Sequence, residues 1–392
     1  MKKPLIVYLV WHPLDAEASA YAKAVLRRVY ADPDMPGAER LGIPVRFRTS
    51  NDPAELPKAI DLDESDASVV VILYGDAMSA DRENCWRDWL AGIVARVPAA
   101  RAKHRCIFAS LTVNALGDAN SFPNMNLTRL HLVPAERREH ELVIAVLRTC
   151  ALALDVQPVK VFLSHTKADG AGITAELREA VQAARLDKFF DAQDIDDGMN
   201  SLDEIIEQVA SSAAIVVLTD KYATREWCRL EAIRSIQAGR PLVVLDALEQ
   251  GEVRSMPYLS NVPVVRLGPD RGDSFDRCIV HCLREVVRCR FFPAHAKAAI
   301  AATNARLAAD QMSAPVGPVR AGAKKTKQGS AFDPVVFASQ PDLFSLLMKG
   351  SARSGLHIVY PDPPLGAPEL GVLMSLQDKL VARSITEWRA QS

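Results

Sequence analysis

Short, wholly apolar runs alternate along the chain with longer stretches of helical periodicity, and the alternation is run through twice. The first pass predicts strands at LIVYLV (5–10), VRFR (45–48), VVVILY (69–74), CIFASLTV (106–113) and LHLV (130–133), closed by a helix over HELVIAVLRTCALAL (140–154). The second predicts strands at VKVFL (159–163), KFF (188–190), AAIVVL (213–218), PLVVLD (241–246) and PVVRL (263–267), closed by a helix over FDRCIVHCLREVVRC (275–289). Strands that are apolar throughout and separated by helices form parallel sheets covered on both faces. The expected class is therefore α/β, with two parallel-sheet domains in tandem.

The two passes superimpose in sequence without a gap from the second strand through the third helix. Phe47 and Phe190, Ile72 and Ile215, and Cys85 and Cys228 are all separated by 143 positions, which lays RENC over REWC. Between the first and second strands the amino-terminal copy is ten residues longer. A period this long, holding a full strand–helix set, indicates a duplicated domain rather than a solenoid. The expected boundaries are 1–155 and 156–295 for the two copies, 296–331 for a helix end and linker, and 332–392 for a small tail. The stretch from about 308 to 331 is rich in small residues and broken by Pro and Gly, and reads as flexible. The tail offers helices at PDLFSLLMKG and from Pro368 to about Arg389, around a strand at LHIVY (356–360). Some sixty residues make a thin core, so the tail is expected to dock on another part of the chain or on a partner.

Composition removes several function classes. Forty-seven basic residues against 48 acidic leave a net charge of −1, which offers no electrostatic footprint for nucleic acid. The seven cysteines form no CxxC pair and suggest a reducing cytoplasm. Cys278, His281, Cys282 and Cys289 fall on one helix, which cannot wrap a tetrahedral metal, so they read as core residues and no metal is expected. The opening MKKPLIVYLVWHP has too short an apolar run for a signal peptide, and no stretch approaches the ~20 apolar residues of a membrane span.

The candidate chemistry lies in the second copy. In REWCRLE (225–231), Thr224 is the expected N-cap; Trp227 and Glu231 then fall at i and i+4 on one helix face, with Cys228 turned to the core. Ligands of open parallel sheets bind outside the carboxyl ends of the strands. There the turn after VKVFL supplies Ser164, His165, Thr166 and Lys167, and the turn after KFF supplies Asp191, Gln193 and Asp194. For an isolated WxxxE, a solvated helix face is the commoner outcome.

VFLSHTKAD, FFDAQDIDDG and EIIEQVASSAAIVVLTDKYATREWCRLE, in that order, resemble a Toll/interleukin-1 receptor (TIR) domain of the bacterial type, over about 157–290. The resemblance implies a flavodoxin-like five-stranded parallel sheet, so that the whole chain becomes two flavodoxin-like domains and a small α/β tail. Enzymatic members of that family cleave the bond between nicotinamide and ribose in NAD+. By position, the resemblance makes Glu231 the catalytic glutamate and Trp227 the aromatic residue preceding it. Ser164, His165, Thr166 and Lys167 become the loop lining the nucleotide pocket, Phe190 and Asp191 the end of the second strand, and 191–200 the loop that gates the site and joins protomers. It further implies NAD+ as substrate with no added cofactor, a homo-oligomer or filament, and a cytoplasmic effector of bacterial anti-phage defence.

The amino-terminal copy keeps the frame and changes the residues. Asp88 stands in the place of Glu231, Asn84 in that of Trp227, Trp11 and Pro13 in those of Ser164 and Thr166, and Arg48 in that of Asp191. A carboxylate withdrawn by one methylene loses reach in a tight site. This copy reads as a degenerate TIR-like domain suited to oligomerisation or sensing; an activating ligand or protein would act through it or through the tail. The competing reading is a scaffold without enzymatic activity, which oligomerises through TIR contacts.

Overall fold

The computed structural model describes residues 2–30, 41–80, 86–97, 103–115, 126–190, 212–252, 254, 256–259, 262–313, 334–338, 340–341, 346, 356–361, 365–376 and 380–390. The chain divides into two compact units, one of residues 4–291 and the other of residues 1–3 with 292–392.

The larger unit holds two five-stranded sheets. The first contains β1 (Ile6–Trp11), β2 (Val45–Arg48), β3 (Ser68–Tyr74), β4 (His104–Ser110) and β5 (Asn126–Thr128), in the order β2-β1-β3-β4-β5. The second contains β6 (Lys160–Ser164), β7 (Asp187–Phe190), β8 (Ala213–Leu218), β9 (Leu242–Asp246) and β10 (Val264–Arg266), in the order β7-β6-β8-β9-β10. Every neighbouring pair is parallel. Each sheet therefore has the flavodoxin-like order 2-1-3-4-5. Strands β1, β3 and β8 are buried along their whole length, as strands covered on both faces must be.

Strand register agrees with the sequence period. Phe47 pairs with Leu9, and Phe190, 143 positions on, pairs with Phe162. Leu73 pairs with Trp11, and Val216, again 143 positions on, pairs with Ser164. Both comparisons give β1 and β6 the same offset of 153, which places Trp11 and Ser164 at equivalent sheet positions.

The helix Ala135–Leu154 is buried at every position from Leu142 to Leu147, so no side of it faces water there. It joins both sheets into one core with Cys278, Ile279, Leu283, Val286 and Val287 of the helix starting at Arg271. Arginines fasten the same junction. Arg290 donates to the carbonyls of Ala151 (2.7 Å), Asp155 (3.3 Å) and Gln157 (3.2 Å), which supplies donors to carbonyls at and beyond a helix C-terminus. Arg137 Nη2 lies 3.0 Å and His140 Nε2 3.3 Å from the Asp276 carboxylate.

Several expected elements are corrected. LHLV is not a strand: residues 130–132 form a 3₁₀ turn, and the fifth strand is Asn126–Thr128, paired with Ile107–Ala109. Leu130 is buried while Leu132 is 66% exposed, and the Pro134 that follows caps the next helix. An alternating run of four residues satisfies a turn as well as a strand. The second closing helix runs over Arg271–Ser313 rather than 275–289. Asp270 Oδ1 accepts from the Asp273 amide (3.1 Å) to start it. Its continuation is rich in alanine, which carries it past Pro293 and into the stretch expected to be flexible from about 308. Residues 314–331 of that stretch lie outside the described residues.

In the smaller unit, β11 (Val335–Val336), β12 (His357–Tyr360) and β13 (Val381–Ser384) form a parallel sheet. The helix expected from Pro368 to Arg389 is interrupted: helices cover Ala367–Leu376 and Ile385–Ala390, with β13 between them. Pairing with β12 overrides helical propensity there, residue by residue from His357–Val381 to Tyr360–Ser384. Most of PDLFSLLMKG lies outside the described residues. Phe292, Ala296 and Ala299 of the long helix pack against Val359, Ile385 and Trp388, so this tail is anchored on helix within its own unit. Among the described residues no helix is long and apolar enough to cross a membrane.

Candidate functional site at the carboxyl edge of the second sheet

Strand β6 ends on Ser164, which is 2% exposed and paired with Val216 of the neighbouring β8. The chain then turns through His165–Gly170 into the helix Ala171–Ala183. Thr166 is buried; its Oγ1 accepts from the Ala168 amide (3.2 Å) and its carbonyl from the Gly170 amide (2.9 Å). A Cβ on Gly170 would sit 2.9 Å from that carbonyl, so the turn requires glycine for close approach rather than for an unusual φ. Asp169 ties the turn to the end of β8: its carboxylate accepts from Thr219 Oγ1 (2.7 Å) and the Lys221 amide (3.0 Å).

A 3₁₀ turn, Tyr222–Thr224, leads from β8 to the helix Glu226–Gln237. The expected N-cap at Thr224 is thereby corrected to Arg225, whose φ of −93° and ψ of 121° are those of a cap, without a side-chain bond. Thr224 Oγ1 instead donates to the Lys221 carbonyl (2.6 Å) inside the tight turn. The hydroxyl is drawn back to its own turn, a competition open to any Ser or Thr at a helix start.

From this frame three oxygens meet. Ser164 Oγ donates to Glu231 Oε2 at 2.5 Å and lies 2.7 Å from Tyr222 Oη. Tyr222 Oη donates to the Cys228 carbonyl at 3.0 Å. Burial pushes the Tyr222 hydroxyl well above its ordinary range, its bond to Ser164 works against that shift, and the neighbouring Cys228 and Glu231 add to it. Tyr222 therefore stays a neutral donor. Burial, followed by the charge of Glu231, raises the Cys228 thiol to about 12. Cys228 Sγ, 3.4 Å from the His165 carbonyl, is an inert packing thiol. With Glu231 ionised, two hydroxyl protons serve three oxygen–oxygen contacts, so the Ser164–Tyr222 contact competes with the bonds at either end. The arrangement is a carboxylate held at the sheet edge by a hydroxyl.

Ser164 and Glu231 are thus brought into contact across 67 positions of chain. Trp227 sits one turn before Glu231 with 53% of its surface open, so a large aromatic face is accessible beside the carboxylate. His165 is half-buried and Lys167 exposed, both in the turn. Phe190 ends β7 beside Phe162, while Asp191 and the 191–200 loop lie outside the described residues. Sequence reasoning gave no role to Tyr222 or Asp169. A tyrosine in a short polar connection between a buried strand and a helix was the available signal, since its hydroxyl needs a partner once the ring is buried.

Across the first sheet the equivalent edge is aromatic. Trp11 occupies the Ser164 position and meets Phe47 edge-on at 5.1 Å. His12 is buried 5.2 Å from the ring of Trp86, which is itself fully buried, whereas Asp88 is exposed. Residues 82–85, including Asn84, lie outside the described residues. Among the described residues no group of three His, Cys, Asp or Glu side chains is placed to hold a metal.

The family model for the TIR domain matches residues 161–279, the segment from β6 into the long helix that contains all of this site. These residues form a TIR domain. The solved structure of the activated Roq1 resistosome directly recognizing the pathogen effector XopQ, in its TIR domains, is 18% identical; the match covers 33% of this chain and 83% of that one, with a TM-score of 0.22. No curated protein matches the chain.

Proposed function

We propose that the TIR domain at 161–279 cleaves the nicotinamide–ribose bond of NAD+. The observation that carries this is the Ser164–Glu231 contact at 2.5 Å, on the carboxyl edge where open parallel sheets bind ligands. A carboxylate that already accepts a hydroxyl is suited to accept the hydroxyls of a ribose. In the reaction the C1′–N bond breaks, its electron pair leaves with the nicotinamide nitrogen, and positive charge develops on the ribose. Glu231 stabilises that charge. Nicotinamide departs neutral, so no strong acid is needed. Water then adds at C1′, releasing a proton and ADP-ribose; attack by the adenine end of the same molecule gives a cyclic product instead. The open face of Trp227 is available to stack on a base or nicotinamide ring.

The first sheet is, in this proposal, a degenerate TIR-like copy. Its strand order and the shared 143-residue register support the kinship, and the rings of Trp11 and Trp86 at its edge support the loss of the polar cluster. Assembly through TIR contacts and a role as an NAD-depleting effector in anti-phage defence follow from the resemblance. Turnover of NAD+ by the purified full-length protein, at low and high protein concentration with Glu231→Gln alongside, tests the proposal. Turnover that rises with concentration and disappears in the variant is expected. A variant that cleaves NAD+ like the parent overturns the assignment of Glu231, and a parent inert at all concentrations, with cellular function intact in the variant, establishes the scaffold.

A further inference from the structure

A cleft of about 560 Å³ opens at the junction of the two sheets, away from the Glu231 edge. The end of β5 contributes Leu127, Thr128 and Arg129, the helix Ala135–Leu154 contributes Glu141, Ile144 and Arg148, and the C-terminus of the helix Ala171–Ala183 contributes Arg185. Three arginines and one glutamate therefore line it. Glu141 is already 3.8 Å from Arg137. Arg148 donates to the carbonyls of Ala184 (3.2 Å) and Arg185 (3.4 Å), so it offsets the negative end of that helix. Arg129 and Arg185 are exposed, and among the described residues neither side chain has an ion pair or hydrogen bond.

A second observation singles out Arg185. Its φ of 54° makes it the non-glycine residue with a left-handed backbone among the described residues. The bonds around it are those of a Schellman cap: Ala184 amide to Ala180 carbonyl (3.0 Å), Arg185 to Gln182 (2.9 Å) and Leu186 to Val181 (3.5 Å). The helix Glu226–Gln237 ends in the same three bonds, from Ala238, Gly239 and Arg240, and there the left-handed position at φ 62° is a glycine. The same turn is thus built once with the residue that suits it and once with a strained arginine whose side chain lines the cleft. Strain retained at a lined cavity is the pattern of a binding position.

We propose that this cleft binds a small phosphate-bearing anion, of the size of a nucleoside diphosphate, with Arg129 and Arg185 contacting the phosphates. Planar guanidinium groups match phosphate oxygens two at a time, and the volume lies within the range of small-molecule sites. Leu127, Leu132, Val133 and Ile144 give the remainder of the ligand an apolar wall. The site is independent of NAD+ cleavage and stands or falls separately.

Calorimetric titration of the full-length protein with ADP and with inorganic pyrophosphate, at low ionic strength, tests it. The parent is expected to bind at least one probe, Arg129→Ala and Arg185→Gly to weaken binding at least tenfold each, and the double variant to lose it. Arg185→Gly is also expected to raise the Tm, since glycine relieves the backbone strain, so lost binding cannot be ascribed to a damaged fold. Arg129 lies outside the cap and gives the same answer without touching it. ADP binding more tightly than pyrophosphate assigns the apolar wall to a nucleoside, and equal affinities assign the site to the phosphates alone; both support the proposal. A parent that binds neither probe overturns it. So does ADP binding that survives in the double variant, because the anion then sits elsewhere.

Discussion

The edges of the two sheets share a register and differ in what fills it. At the position where β6 presents Ser164 to Glu231, β1 presents Trp11 to Phe47, and the buried Trp86 closes over His12. One edge buries a hydroxyl and a phenol, which donate to the part-buried Glu231 carboxylate and to the Cys228 carbonyl. The other buries rings. A polar edge is costly to bury and is retained where it has work to do, whereas aromatic filling yields stability directly. Under the proposed function the comparison sets a site against a prop within one architecture, and substitutions on each side should fail in different ways.

The largest effect is expected from Trp86→Ala. Removing a fully buried indole should cost about 3–5 kcal/mol of unfolding free energy, read by denaturant titration. Glu231→Gln is expected to leave the unfolding midpoint nearly unchanged while reducing NAD+ turnover by roughly 10²–10³. If Glu231→Gln destabilised the protein as Trp86→Ala does, the carboxylate would be structural and the contrast would collapse. Tyr222→Phe should cost about 1 kcal/mol of stability and slow turnover less than Glu231→Gln does. It leaves Ser164 donating to Glu231 and removes the hydroxyl behind it, with its bond to the Cys228 carbonyl. Combined with Ser164→Ala it should add little further loss of turnover, which a double-mutant cycle measures.

The smallest effect concerns the junction that both sheets share. Burial pulls the Asp276 carboxyl upward, but His140 and Arg137 outweigh it and hold it below the ordinary range. A depressed carboxyl contributes stability that is present above its unfolded pKa and lost as pH falls through the folded value. The parent should therefore lose a little stability below about pH 4 that Asp276→Asn does not. The pair is partly exposed, so the difference should be about 1 kcal/mol or less, and a Tm series from pH 3 to 7 in both proteins reads it.

Most of the frame was legible because apolar runs and their spacing carry it. The strands at β1, β3, β6, β8 and β9 were placed within a residue or two, since a strand buried on both faces has no other composition available. The elements that moved were those whose local pattern fits two structures. LHLV alternates like a strand but turns, and the helix expected across 368–389 yields its middle to β13, because a neighbouring strand offers backbone partners that propensity cannot foresee. The WxxxE spacing marked Trp227 and Glu231, but no spacing linked Glu231 to Ser164 through Tyr222.

By itself, the sequence determined the alternation of strands and helices, the 143-residue period, and the set of residue types delivered to the carboxyl edge of each sheet. Those properties are local or periodic, and each residue carries its share of them wherever the chain goes. Only the tertiary structure decided which of those residues touch. The Ser164–Glu231 contact, the burial of Trp86 and the cleft containing Arg129 and Arg185 all join segments far apart in the chain. A contact of that kind is fixed by sheet order and helix packing, which depend on the whole core at once rather than on any stretch within it.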